Sequence, residues 1–115
     1  MNKTSLVENL VYGENKPNVT MVLETEFSKE IRIVFQKGQE MKEHKTAFPI
    51  IVEIFEGEIV FGVENEEYKL VKGDLVTLPA SIPHHLVANE NSIVRLTLSK
   101  FDTAERVQDV ANKSI

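Results

Sequence analysis

Short segments rich in β-branched and aromatic residues, separated by turn residues, constrain the fold of this chain more than any other feature. The joints Glu56-Gly57 and Lys72-Gly73 contain glycine, which tolerates the positive φ that tight hairpins require. Short strands at this spacing are typical of an antiparallel barrel or sandwich. The predicted strands are Val19–Thr25, Glu30–Gln36, Ile50–Glu56, Ile59–Val63, Tyr68–Val71, Asp74–Leu78, His84–Ala88 and Ser92–Ser99.

Both ends of the chain have helical patterns instead. Thr4 is placed to cap a short helix that Gly13 would end, and Asp102 with Glu105 three residues later resembles a capping box. Because helices this short are unstable alone in water, each needs the barrel or a second subunit to pack on. The residues predicted to form their apolar faces are Leu6, Val7, Leu10 and Val11 near the N-terminus and Ala104, Val107 and Ala111 near the C-terminus.

The length and charge of the chain exclude several classes of protein. Its 115 residues suffice for one domain, predicted to span residues 1–115 with a barrel core at about 19–99 and short terminal extensions. With 13 basic and 18 acidic residues the net charge is −5, and no basic stripe suggests nucleic acid as a partner. No apolar run reaches the roughly 18 residues that a membrane span needs. The absence of cysteine and of an apolar leader predicts a cytoplasmic protein without disulfides or thiolate metal sites.

Histidines are the residues of this chain best suited to bind a metal or a polar ligand. There are three, and His44 and His84 each lie at or just before the start of a predicted strand. In a barrel whose strands return to the same mouth, these two can meet inside. His85 directly follows His84, and because adjacent strand residues point to opposite faces, we expect it on the outer surface.

Glycine, proline and histidine recur around these positions in two patterns. The first places His44 six residues after a glycine, and the second places a proline and then His84 after another glycine. This arrangement is similar to the two motifs of the cupin superfamily, and the chain resembles a small single-domain cupin over about Val19 to Ser99. The resemblance implies an all-β, double-stranded β-helix (jelly-roll-like) barrel with a short helix at one or both ends. The positions in register are Gly38, His44, Gly57, Gly73, Pro79 and His84.

The departures from the motif bear on metal binding. A full cupin site holds a metal with three histidines and one glutamate, but Thr46 stands where the second histidine belongs and Ile50 where the glutamate belongs. Threonine is a poor ligand for first-row metals and isoleucine is none. The resemblance thus implies a degenerate site in which His44, His84, Thr46 and Ile50 line a ligand-binding cavity. His44 and His84 alone would hold a divalent metal such as Zn, Ni, Fe or Mn only weakly, if at all.

Two classes of function remain open from the sequence. The first is a cupin that binds a small molecule, with a metal-free or weakly metal-binding site and a sensor or accessory role. The alternative is a metal-dependent enzyme, a dioxygenase or an isomerase of unknown substrate, which needs a further ligand from Glu40, from Glu43 or from the substrate. Strand alternation places Glu53 on the face opposite Ile50, so Glu53 is not expected to supply that ligand.

The outer face of the barrel is predicted to be covered. Ile51 and Phe55 lie on the face opposite Ile50, and strands that are apolar on both faces need cover on both faces. A homodimer related by a twofold axis would supply it. In the alternative, the segment Leu6–Val11 folds back over its own barrel and leaves a monomer. Arg32 and Arg95 lie within apolar strands, where an arginine is usually on the outer face or in a salt bridge.

Overall fold

Alternating burial along the strands folds the chain into two facing antiparallel sheets. The computed structural model describes residues 1–115 and orders the strands β1-β2-β9-β4-β7 in a five-stranded sheet and β3-β8-β5-β6 in a four-stranded sheet. One helix, α1, follows the last strand. The elements are β1 (Asn18–Glu24), β2 (Ser28–Phe35), β3 (Glu40–His44), β4 (Ile50–Glu56), β5 (Glu58–Val63), β6 (Glu66–Val71), β7 (Leu75–Leu78), β8 (His84–Ala88), β9 (Ser92–Ser99) and α1 (Ala104–Asn112).

The two sheets enclose one apolar core. Alternate residues of β4 point inward, so that Ile50, Val52 and Ile54 are buried while Ile51 is exposed. Val107 and Ala111 of α1 join the same cluster of buried side chains, so the helix covers part of the barrel. This architecture confirms the predicted all-β jelly-roll fold with a short terminal helix.

Strand β3 is the strand that the sequence did not predict. It reads Glu-Met-Lys-Glu-His, and only Met41 is fully buried. β3 is an edge strand that pairs only with β8, and edge strands often carry charged side chains. The segment therefore lacks the alternation of hydrophobic residues from which a strand is predicted. The eight predicted strands are all present, with ends that shift by a few residues.

The predicted N-terminal helix is wrong, because tertiary contacts take its backbone groups. The Arg32 side chain donates hydrogen bonds to the carbonyl oxygens of Glu8 and Asn9, at 2.8 and 3.4 Å. Asn9 has a φ of 55°, which interrupts a right-handed helix, and Ser5 Oγ accepts from two amides of a local turn. Residues 1–17 instead form turns and irregular backbone, and Glu8 and Asn9 lie against Arg32 of β2.

The predicted C-terminal helix is present and begins one residue later than expected. Its N-cap is Thr103, whose hydroxyl accepts a hydrogen bond from the Arg106 amide. Asp102, the predicted cap, uses its carboxylate elsewhere. No helix of the chain is long and apolar enough to cross a membrane.

Gly57 is required by both backbone conformation and space. It joins β4 to β5 with a φ of +94°, and a Cβ atom there would overlap Ser92 Oγ. Gly38 has a similar φ of +92°, but no atom lies within 4 Å of the place that a Cβ would take. We expect Gly57→Ala to lower the free energy of unfolding by on the order of 3 kcal/mol and Gly38→Ala by about 1 kcal/mol. Urea denaturation of the two variants measures this, and equal losses would contradict the steric argument.

Candidate functional site

Neighbouring strands β3 and β8 bring His44 and His84 side by side. The two residues are cross-strand partners, and their ring centroids lie 4.3 Å apart at an angle of 61°. The ring of His84 also stacks on Phe61, with centroids 5.6 Å apart. The structure therefore places the two histidines together, as the motif positions predicted. Their role in binding stays a prediction.

Hydrogen bonds fix which nitrogen of each imidazole carries the proton. His44 Nδ1 lies 2.6 Å from the Lys42 carbonyl oxygen, and His84 Nδ1 lies 2.9 Å from the Ile82 carbonyl oxygen. Since a carbonyl only accepts, each Nδ1 must donate. A neutral ring then has its lone pair on Nε2, on the side away from the backbone. The pair presents two acceptors to whatever occupies the space between the strands and α1.

Burial keeps both rings neutral near pH 7. It lowers the pKa of His44 to about 4 from the usual 6.5, against the opposing effect of the hydrogen bond to the Lys42 carbonyl. Burial also lowers the pKa of His84, and the positive charge of Arg106 adds to the effect on both rings. Uncharged imidazoles are the form that accepts hydrogen bonds or binds metal.

These pKa shifts predict a loss of stability in mild acid. Between pH 6.5 and about 4 the unfolded chain binds a proton at residue 44 that the folded chain does not. The free energy of unfolding therefore rises with pH in this range, and the full contribution of His44 is present above pH 6.5. We expect the melting temperature of the native protein to fall between pH 7 and pH 4.5 more steeply than that of His44→Gln. Parallel melting curves would contradict burial of a neutral His44.

The space beside the two rings is small and mostly apolar. A cavity of about 20 Å³ lies between the histidines, the inner face of the five-stranded sheet and α1. That volume has room for about one water molecule. Ile50 lines this cavity as predicted, and its other apolar walls are Ile33, Met41, Val52, Leu86, Val94, Leu96 and Val107.

Arg106 of α1 is the member of the site that sequence reasoning missed. It lines the same cavity as the two histidines. Its Nε and Nη2 donate to the Asp102 carboxylate at 2.8 and 2.9 Å, and the arginine side chain is 26% exposed while that of Asp102 is 4% exposed. Burial raises the pKa of Asp102, but hydrogen bonds from Arg106, Thr46 and the Thr103 amide hold it below the usual value. The carboxylate stays ionised and orients the guanidinium.

Thr46 takes part in this arrangement through a hydrogen bond to Asp102. Its hydroxyl donates to the second oxygen of Asp102 at 2.6 Å, and the residue is buried. Thr46 is not among the residues that line the cavity, and it contacts the site through Asp102 and Arg106. Thr46 stands where a full cupin motif has a histidine, and here it helps to hold Asp102, the carboxylate that pairs with Arg106.

The donor set does not fit a tightly held metal. No group of three or more His, Cys, Asp and Glu side chains is placed to hold one. Glu43 borders a cleft on the outer surface beside His85, and Glu40 is not among the residues that line the inner cavity. Two imidazoles leave most of a coordination shell to water. Arg106 lines the cavity and its partner Asp102 does not, so the nearer charge disfavours a divalent cation.

The remaining charged candidates lie on the outer faces. His85 sits over Gly62, 3.7 Å from a carboxylate oxygen of Glu67. Arg95 pairs with Glu30 and Glu53 at 3.0 and 3.4 Å, so Glu53 faces away from the cavity as expected. Arg32 is buried under the N-terminal segment and has no carboxylate partner.

The fold and the motif positions define a double-stranded β-barrel domain with paired histidines in its interior. A family model described as the Cupin domain matches residues 31–100, which is more than half of the chain. The protein belongs to the cupin family.

Several solved structures share this fold. An RmlC-like cupin protein from Desulfovibrio desulfuricans is 24% identical, with a TM-score of 0.79 over 86% of this chain and 96% of that one. The protein TT1209 from Thermus thermophilus is 23% identical, with a TM-score of 0.76 over 86% and 98%. A conserved protein of unknown function from Streptococcus pyogenes, SPY1581, is 22% identical, with a TM-score of 0.73 over 89% and 90%. At these identities the likeness establishes the fold alone. No curated protein matches the sequence.

Proposed function

We propose that this cupin binds a small polar molecule at the His44–His84 pair without a tightly held metal, in a sensor or accessory role. The observation that carries the proposal is the pair itself: two imidazoles 4.3 Å apart, each with Nδ1 committed to a backbone carbonyl. Both Nε2 atoms are then acceptors. A ligand hydroxyl or amine can donate to them in place of the water that the cavity has room for.

The apolar walls suit a ligand with one polar end. Isoleucine, valine, leucine and methionine side chains surround the histidines, and few polar groups in an apolar pocket are typical of sites that select a small organic molecule. The cavity is too small for a whole metabolite. The polar end would enter beside the histidines, and α1 would have to move before the body of the ligand could contact these walls.

The alternative, a metal-dependent dioxygenase or isomerase, needs more ligands than the pair supplies. Catalytic zinc sites usually have three protein ligands and an open position. Here Ile50 occupies the glutamate position with a buried hydrocarbon side chain, and Thr46 is bonded to Asp102. A substrate would have to complete the coordination shell by itself.

Zinc titration tests the degenerate site. We expect the native protein, purified without an affinity tag, to contain little metal and to bind added Zn²⁺ with modest affinity at pH 7 by calorimetry. His44→Gln and His84→Gln should abolish this binding, because each removes one of two ligands, while the matched variant His85→Gln should leave it unchanged. At pH 7 the melting temperature of His44→Gln should be close to that of the native protein, because the side chain at position 44 is uncharged in both.

Two outcomes would contradict the proposal. Near-stoichiometric Fe, Mn, Ni or Zn in the purified protein would favour the enzyme instead. Equal loss of zinc binding in His85→Gln would place the metal on the outer surface, beside Glu67.

A further inference from the structure

The guanidinium of Arg106 has an unused hydrogen-bonding edge. Asp102 engages Nε and Nη2, which leaves Nη1 without a partner in the protein. The carboxylate is almost fully buried while the arginine is about one-quarter exposed. Asp102 thus holds the guanidinium through Nε and Nη2, and the arginine lines the same cavity as the two histidines.

Asp102 accepts more hydrogen bonds than are needed to attach α1 to the barrel. Asp102 accepts from Thr46, from the Thr103 amide and twice from Arg106, so both of its carboxylate oxygens are engaged within the protein. This fixes a cation in the cavity that the two imidazoles line. A fixed guanidinium recognises carboxylates through paired hydrogen bonds.

We infer that Arg106 makes the mouth of the barrel a carboxylate subsite, and that the ligand is a small hydroxycarboxylate. Its carboxylate pairs with the unused edge of Arg106, and its hydroxyl donates to Nε2 of His44 or His84. The inference rests on the proposed function, since the hydroxyl needs the imidazole acceptors. It adds the chemical class of the ligand and the residue that selects it.

The donor and acceptor pattern excludes simpler ligands. A carboxylate alone has no donor for the two Nε2 lone pairs, and an alcohol alone has no charge for Arg106. A molecule that carries both groups on adjacent carbons satisfies both sides of the site. Hydrogen bonds that involve a charged partner are the stronger of the two kinds, so the carboxylate supplies most of the affinity.

Three probes of similar size separate these contributions. Glycolate carries both groups, acetate only the carboxylate and ethylene glycol only hydroxyls. We expect glycolate, titrated at pH 7 into the full chain, to shift the side-chain nitrogen resonances of His44, His84 and Arg106 in NMR spectra. Acetate and ethylene glycol should each need at least tenfold higher concentration for half of the change.

Two variants distinguish anion binding from anchoring of the helix. Arg106→Gln removes the cation and should weaken glycolate binding at least tenfold, with no effect on ethylene glycol. Asp102→Asn keeps the guanidinium but removes the carboxylate that orients it. It should therefore weaken glycolate binding, but less than Arg106→Gln does. Melting curves identify any variant that is unfolded at the titration temperature.

Each outcome decides the inference. If glycolate binds Arg106→Gln as well as the native protein, or if both variants lose glycolate alike, the carboxylate subsite is wrong. If ethylene glycol shifts the histidines as readily as glycolate, the proposed function stands and the ligand class does not. If none of the probes shifts the histidines, both proposals are overturned.

Discussion

The triple variant Thr46→His/Ile50→Glu/Arg106→Gln is expected to bind Zn²⁺ more tightly than the native chain by orders of magnitude. Ile50 points into the cavity beside the histidine pair, and Thr46 lies two residues after His44 at the position of the missing motif ligand. The substitutions raise the number of protein ligands from two to four and remove the positive charge beside them. Calorimetric titration with Zn²⁺ at pH 7 measures the change.

The metal-free form of this variant should be strongly destabilised. The Ile50 side chain is 3% exposed, and a carboxylate introduced there without a metal or hydrogen-bond partner is buried at high cost. Zinc should restore the melting temperature, because ligands that bind only the folded state stabilise it. The control is Thr46→His/Ile50→Glu with Arg106 retained, which should bind Zn²⁺ less tightly. Equal affinity would contradict the argument that Arg106 opposes a cation.

The parts of the fold that the sequence predicts are those set by local rules. The turn at Gly57 needs a positive φ, and the strand from Ile50 to Glu56 alternates between buried and exposed side chains. Both features are visible in a single sequence. The meeting of His44 and His84 had a different basis, because the sequence did not predict β3. It was expected from the resemblance to the two cupin motifs.

The parts that escape prediction depend on contacts between distant residues. Thr46 and Asp102 are 56 positions apart, and nothing near either residue indicates the other. Asp102 has the local sequence pattern of a helix cap, but its carboxylate bonds to the distant Thr46 instead. In the same way, Arg32 binds the carbonyl oxygens of Glu8 and Asn9 and replaces a helix that propensity alone favours.

The N-terminal segment covers only part of the outer face of the five-stranded sheet. Its contacts reach Arg32 of β2, and the carbonyl oxygen of Gly13 accepts from the side chains of Gln36 and Gln39. Beyond these contacts, Phe27, Ile51 and Leu75 remain exposed by 75, 43 and 64%. They border a cleft of about 530 Å³ on this face. The N-terminal segment, as the alternative to a second subunit, thus explains the cover of only part of this outer face.

We expect the uncovered half to join two copies of the chain in a homodimer. Around a twofold axis, the same apolar patch meets itself. Light scattering coupled to size exclusion should give twice the chain mass of 13.0 kDa at micromolar concentration. Leu75→Glu should return it to a single chain, because a charge would be buried without a partner. Tyr68→Glu, at a site 50% exposed on the four-stranded sheet, is the matched control and should leave the dimer intact.

Phe55→Glu separates the two ways of covering this face. Phe55 is only half-buried within its own chain, on the same face of β4 as Ile51. If it lies within the interface, this variant should dissociate the dimer as Leu75→Glu does, with little change in the melting temperature of the isolated chain. A native mass near 13.0 kDa at all concentrations would contradict the dimer. In that case the exposed phenylalanine, isoleucine and leucine side chains would lie on a monomer whose sheet is covered only by residues 1–17.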